Sequence, residues 1–143
     1  IGFKDDGIAM FSLNGELLYK KNIFEIIVEN NLEDIIFSNP PSLDYIHLND
    51  IQPVLEDGKF WKKNDLFLSI RNQSIIMLFR PSTNQIIWYK KGPWSRQHDV
   101  DIIDKTRISV FDNNKSNKLG ITEFNDYIIY NFQTNKVELP FSE

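Results

Sequence analysis

The sequence predicts an all-β chain built from repeated four-stranded units. Three observations predict it. Short apolar runs of strand length, bounded by Asn, Gly, Pro and Thr, recur from residue 44 onward. The phrases "HLNDIQPV" and "HDVDII" each open on one of the two histidines, 51 positions apart. The turn Thr83-Asn84 returns as Thr134-Asn135 at the same offset. Units of roughly 40 to 50 residues with four strands are the signature of β-propeller blades. One blade buries its faces only against its neighbours, so blades come in series. The expected fold is therefore a β-propeller fragment of about two and a half four-stranded antiparallel blades, with one short helix in a linker.

The elements follow in order. Residues 1–22 read as the end of one blade. There "IAMFSL" and "ELLYKK" flank Asn14-Gly15, a dipeptide that accepts the positive φ angles of a tight hairpin. Residues 23–43 read as a helical linker. Phe24, Ile27 and Val28 have helical spacing, Asn22 offers a cap, and Asn30-Asn31 ends the helix before the loop "SNPP". Residues 44–91 read as a blade: "DIQPVLE", "DLFLSIR", "SIIMLFR" and "QIIWYKK". Pro53 puts its strand at an edge or bulge, and "GKFWKKN" reads as a loop insertion. Residues 92–143 read as a second blade: "HDVDII", "TRISVFDNN", "DYIIYNF" and "KVELPF", with a polar loop "KSNKLGITEF". The middle strands "FLSIRN" and "ISVFDN" align at an offset of 41, which pairs Arg71 with Asp112.

Composition narrows the function classes. The chain has 143 residues, 41% of them hydrophobic, enough for a packed core. Its net charge is -4 and no large basic block occurs, which argues against nucleic acid. The absence of cysteine excludes disulfides, thiolate metal sites and a cysteine nucleophile. No apolar stretch reaches the roughly 18 residues that span a membrane, and no signal peptide is visible. The chain begins at Ile1, so further sequence upstream is expected. Two and a half blades expose a blade face, which predicts contact with remaining blades or self-association.

In a propeller the first strand of each blade lines the central channel, so matching positions of successive blades converge. His47 and His98 would then face one ligand. Arg71, in "SIRNQS", is a third candidate, because its planar fork of donors suits an oxyanion. A neutral imidazole beside it could attack an electrophilic sulfur or phosphorus. Structural readings stand beside these. The repeated aspartate could hold a blade turn while the histidine binds a carbonyl. Arg71 could bridge to Asp50 or Asp99, and Trp88 and Trp94 fit blade packing. No metal site and no cofactor is expected, although Asp99 and Asp101 leave calcium open.

"DYIHLNDI", "LFLSIRNQSII" and "WSRQHDVDI…ISVFDNN" resemble the arylsulfotransferase family, over roughly Leu43 to Phe132. The resemblance implies a six-bladed propeller that moves a sulfuryl group from an aryl sulfate to a phenol through a sulfohistidine. It implies His98 as nucleophile, His47 as a sulfate-contacting proton-transfer group, and Arg71 as the clamp on the sulfate oxygens. Asn49 and Asn72 are expected to join Arg71 and His47 in substrate binding. It also implies a periplasmic or exported location. The family's further histidine has no counterpart upstream of His47, and Asp99 stands where better-known members carry a small hydroxyl residue. Two other readings are kept: a non-catalytic propeller that binds a ligand or protein, and a propeller enzyme acting on acidic sugars.

Overall fold

The computed structural model describes residues 4–37, 43–113 and 125–141. The loops "SNPP" and "KSNKLGITEF" lie outside the described residues. The hairpin β1 (Gly7–Phe11) and β2 (Leu17–Asn22) forms a two-stranded sheet. Gly15 sits at the turn with φ 82°, the freedom that Asn14-Gly15 promised. A seven-residue helix α1 (Ile23–Glu29) and one further turn α2 (Asp34–Phe37) follow. Then come β3 (Leu48–Pro53), β4 (Leu66–Ile70), β5 (Ile75–Arg80) and β6 (Gln85–Lys91), paired in that order as one antiparallel sheet. A single 3-10 turn, Arg71–Gln73, links β4 to β5. A second sheet holds β7 (His98–Ile102), β8 (Arg107–Asp112), β9 (Asp126–Asn131) and β10 (Lys136–Glu138), again in chain order. Two four-stranded blades and a hairpin make this a β-propeller fragment, as the repeat predicts.

The helix differs from expectation in two ways. Its buried stripe is Ile23, Ile26 and Ile27, while Val28 is exposed. Asn22 makes no side-chain cap. Asp5, brought over by the hairpin, accepts the Phe24 N–H instead at 3.2 Å. A carboxylate at a helix start competes well with an amide for that role.

The first blade is covered on both faces. Leu68, Ile70, Ile75, Met77 and Phe79 pack with Ile8, Ile23, Ile26, Ile27, Ile36 and Ile46. Phe67, Ile76 and Leu78 pack with Val100, Ile108, Val110, Ile128, Tyr130 and Phe132 of the second blade. This is why β5 reads as an unbroken apolar run rather than an alternation. The loop between β3 and β4 contributes Trp61, which is buried edge-on against Phe67 and Phe132. A Cβ on Gly58 would lie 2.5 Å from the Trp61 ring nitrogen, so only glycine fits there. Trp88 stacks on Tyr130, and Trp94 is buried, so both fill the blade interface.

The pairing refines the repeat. Ile51 pairs with Leu68, and Ile102 pairs with Ile108. With the first strands offset by 51, the second strands are therefore offset by 40, not 41. An offset of 41 would match core-facing Leu68 with Ser109, on the opposite face of its sheet, since side chains alternate. Side-chain tethers confirm the register. Asn72 donates to the Asp44 carbonyl at 2.6 Å, and Gln73 to the Tyr45 carbonyl at 2.8 Å. In the second blade Asp112 accepts from the Ser95 N–H at 2.7 Å, and Asn113 donates to the Arg96 carbonyl at 2.8 Å. Asp44 and Ser95 are 51 apart, and Asn72 and Asp112 are 40 apart. Asp112 is thus the counterpart of Asn72, and Phe111 is the counterpart of Arg71. The turn match holds as drawn: Asn84 and Asn135 both adopt positive φ, 56° and 54°.

Candidate functional site

The two tethered segments lead into the first strand of each blade, one to His47 just before β3 and the other to His98, the first residue of β7. His47 adopts φ 52°, a left-handed conformation uncommon for a side-chain-bearing residue. Its carbonyl accepts the Arg71 N–H at 3.1 Å, and its Nδ1 lies 2.6 Å from Oδ2 of Asp44. The His47 side chain remains 40% exposed, so the ring is held on one edge and open on the other. Arg71 stands at the end of β4, where its Nη1 donates to Oδ1 of Asn72 at 2.9 Å. Among the described residues Arg71 forms no ion pair, with Asp50, Asp99 or any other carboxylate. Its guanidinium charge is therefore not cancelled by an acidic neighbour within that set. Asn72 joins two tasks, gripping the loop before His47 with its amino group and Arg71 with its carbonyl.

His98 opens β7 and is clamped to the first blade from three sides. Gln97, fully buried, donates to Oγ of Ser69 and to the Ile75 carbonyl, both at 3.0 Å. Asp50 accepts the Val100 N–H at 2.8 Å. Asn49 donates through Nδ2 to the Gln97 carbonyl at 2.9 Å, and the same nitrogen lies 2.8 Å from Nδ1 of His98. A similar latch starts the first blade, where Asp6 of the preceding hairpin accepts the Leu48 N–H at 2.8 Å. Burial pushes the Asp50 carboxyl above its ordinary value, against the Val100 and Ile51 N–H groups that favour its charge.

His47, Arg71 and Asn72 thus form one connected group, and Asn49, two residues along the chain from His47, reaches across the blade interface to His98. All five lie around one end of the first strands. Asp44 and Gln97 belong to the same group and were not picked out from the sequence. The spacing Asp44-x-x-His47 could have flagged the first. Nothing local could have flagged Gln97, whose partners lie in the other blade. An open cleft of about 350 Å³ lies at the far end of the first strands, lined by Val54, Trp61, Ile102 and Ile103 among others. None of the candidate site residues lines it. Among the described residues no three His, Asp or Glu side chains gather as a metal site would require.

A family model described as arylsulfotransferase (ASST) matches residues 2–142. The chain belongs to the arylsulfotransferase family. No curated protein and no solved structure matches it at a significant level. Membership in the arylsulfotransferases bears on how the group is read. A family that handles sulfate esters needs a cation for the sulfate oxygens, and it needs groups that move protons at the ester oxygen. Among the described residues no helix of this arylsulfotransferase chain is long and apolar enough to cross a membrane.

Proposed function

We propose that the protein transfers a sulfuryl group from an aryl sulfate to a phenolic acceptor through His98. Arg71 binds the sulfate oxygens by charge-assisted hydrogen bonds. A ring nitrogen of His98 attacks sulfur, so the N–S bond forms as the bond from sulfur to the aryl oxygen breaks. The electron pair leaves on the phenolate, which takes a proton. In the second half the acceptor phenol loses its proton, its oxygen bonds sulfur, and the N–S bond breaks to free His98. His47 serves as the proton-transfer group for both phenols. Asn72 holds Arg71 toward the anion, and Asn49 and Asn72 border the substrate. No nucleotide donor and no cofactor enters this cycle. An exported or periplasmic setting belongs to the same reading.

The matched tethers carry this reading. They present His47 and His98 from corresponding positions of adjacent blades, and the Arg71 backbone is bonded to that of His47. The test incubates the protein with p-nitrophenyl sulfate, with and without phenol. The expected result is acceptor-dependent nitrophenolate release, with a sulfuryl mass on the peptide carrying His98 that is lost in His98→Ala. No release and no adduct, with Arg71 still required to bind an anion, would instead support a non-catalytic binding module. Consumption of uronate-containing oligosaccharides without any sulfate would support the acidic-sugar reading.

A further inference from the structure

The two histidines meet different partners at the same ring atom. On His47, Nδ1 faces a carboxylate oxygen of Asp44. A carboxylate only accepts, so Nδ1 carries the proton and Nε2 of the neutral ring holds the lone pair. On His98, Nδ1 faces the amino end of Asn49. The orientation of that amide is fixed by the Gln97 carbonyl, also an acceptor only, at 2.9 Å from the same Nδ2. Reversing the amide would set two carbonyl oxygens against each other. Nδ1 of His98 therefore accepts, and the proton of its neutral ring sits on Nε2. We propose that Asn49 is a positioning residue that holds resting His98 as the Nε2–H tautomer, while Asp44 holds His47 as the Nδ1–H tautomer.

The consequence rests on the transfer reading above. With its proton on Nε2, His98 at rest is a hydrogen-bond donor and not a nucleophile through that atom. Attack by Nε2 requires the ring to pass first to its Nδ1–H tautomer, the Nε2 proton leaving as another arrives on Nδ1, and the donor that Asn49 sets against Nδ1 opposes that exchange. Asn49 thus sets a gate on the first bond-making step.

The chain has only two histidines, so their ring signals can be assigned with one variant, His47→Gln. The experiment is nitrogen-15 NMR of the imidazoles in the whole chain at a pH where both rings are neutral. The expected result is a protonated, pyrrole-like Nε2 on His98 and a protonated Nδ1 on His47. Asn49→Asp, whose carboxylate accepts, should invert His98 to Nδ1–H. Asn49→Ala should leave a mixture. A wild-type His98 with its proton on Nδ1 overturns the proposal without any variant, so a poorly folding variant does not shelter it. An unchanged tautomer in both Asn49 variants, with native backbone spectra, overturns it too. The sulfuryl mass on His98 is read separately, so the two proposals fail separately.

Discussion

Phe132→Ala is the perturbation that most directly tests how the two blades hold together. Phe132 belongs to the second blade and is 7% exposed. Its ring centroid lies 4.6 Å from that of Trp88, 5.3 Å from Trp61 and 6.0 Å from Phe67, all in the first blade. It also meets Phe60 at 5.6 Å and Tyr130 at 5.0 Å. Truncating a buried phenylalanine costs about 3–5 kcal/mol, as lost transfer energy plus the cavity left behind. The upper half of that range applies here. Five rings surround the site, and aromatic pairs contribute about 0.5–1.5 kcal/mol each beyond their buried area. Stiff rings anchored on two sheets also collapse poorly into a void. For a chain of this length the loss corresponds to a fall in Tm of roughly 8 to 20 °C. The assay is urea unfolding followed by tryptophan fluorescence, since Trp61 and Trp88 both touch the deleted ring. Leu13→Ala, at a fully exposed hairpin position, is the control and should change stability by less than about 0.5 kcal/mol. A loss below about 1 kcal/mol for Phe132→Ala, with an unchanged m-value, would refute the claim that this cluster joins the blades.

Two further outcomes are expected. Arg80 binds Asp65 with two parallel bonds of 2.8 and 2.7 Å, and the Asp65 side chain is almost fully buried. Arg80→Met should therefore destabilise by about 3–5 kcal/mol, because it strands a buried carboxylate, and Arg80→Met with Asp65→Leu should recover much of the loss in thermal melts. Asp50 has a raised folded pKa through burial, so its stabilising share is fully present below the ordinary carboxyl value of 3.8 and is lost as pH rises through the raised value. Asp50→Asn cannot ionise, so its stability relative to the native chain should improve as pH rises across that window. A difference that stays flat with pH, measured by urea unfolding on each side of it, would contradict the assignment.

The strands, their turns and the repeat were legible in the sequence because each is set by neighbours along the chain. Asn14-Gly15 and the two Thr-Asn turns declare their backbone conformations locally, and the 51-residue spacing of the histidines is a count. The family was legible for the same reason, in contiguous phrases around His47, Arg71 and His98. Register was only partly legible. The best letter match gave 41 for the second strands, whereas pairing gives 40, and a one-residue slip turns every side chain to the other face. That slip decides whether Arg71 corresponds to a carboxylate or to Phe111. The helix cap went to Asp5 rather than Asn22 because a hairpin brought in a charged acceptor from 19 residues away. The proton positions on the histidines needed the tertiary structure altogether. Asn49 meets His98 across 49 residues and two blades, and the direction of its amide depends on the Gln97 carbonyl. Sequence fixes which side chains exist and how the chain bends locally. Which atom of an imidazole accepts and which donates is decided by what another blade presses against it.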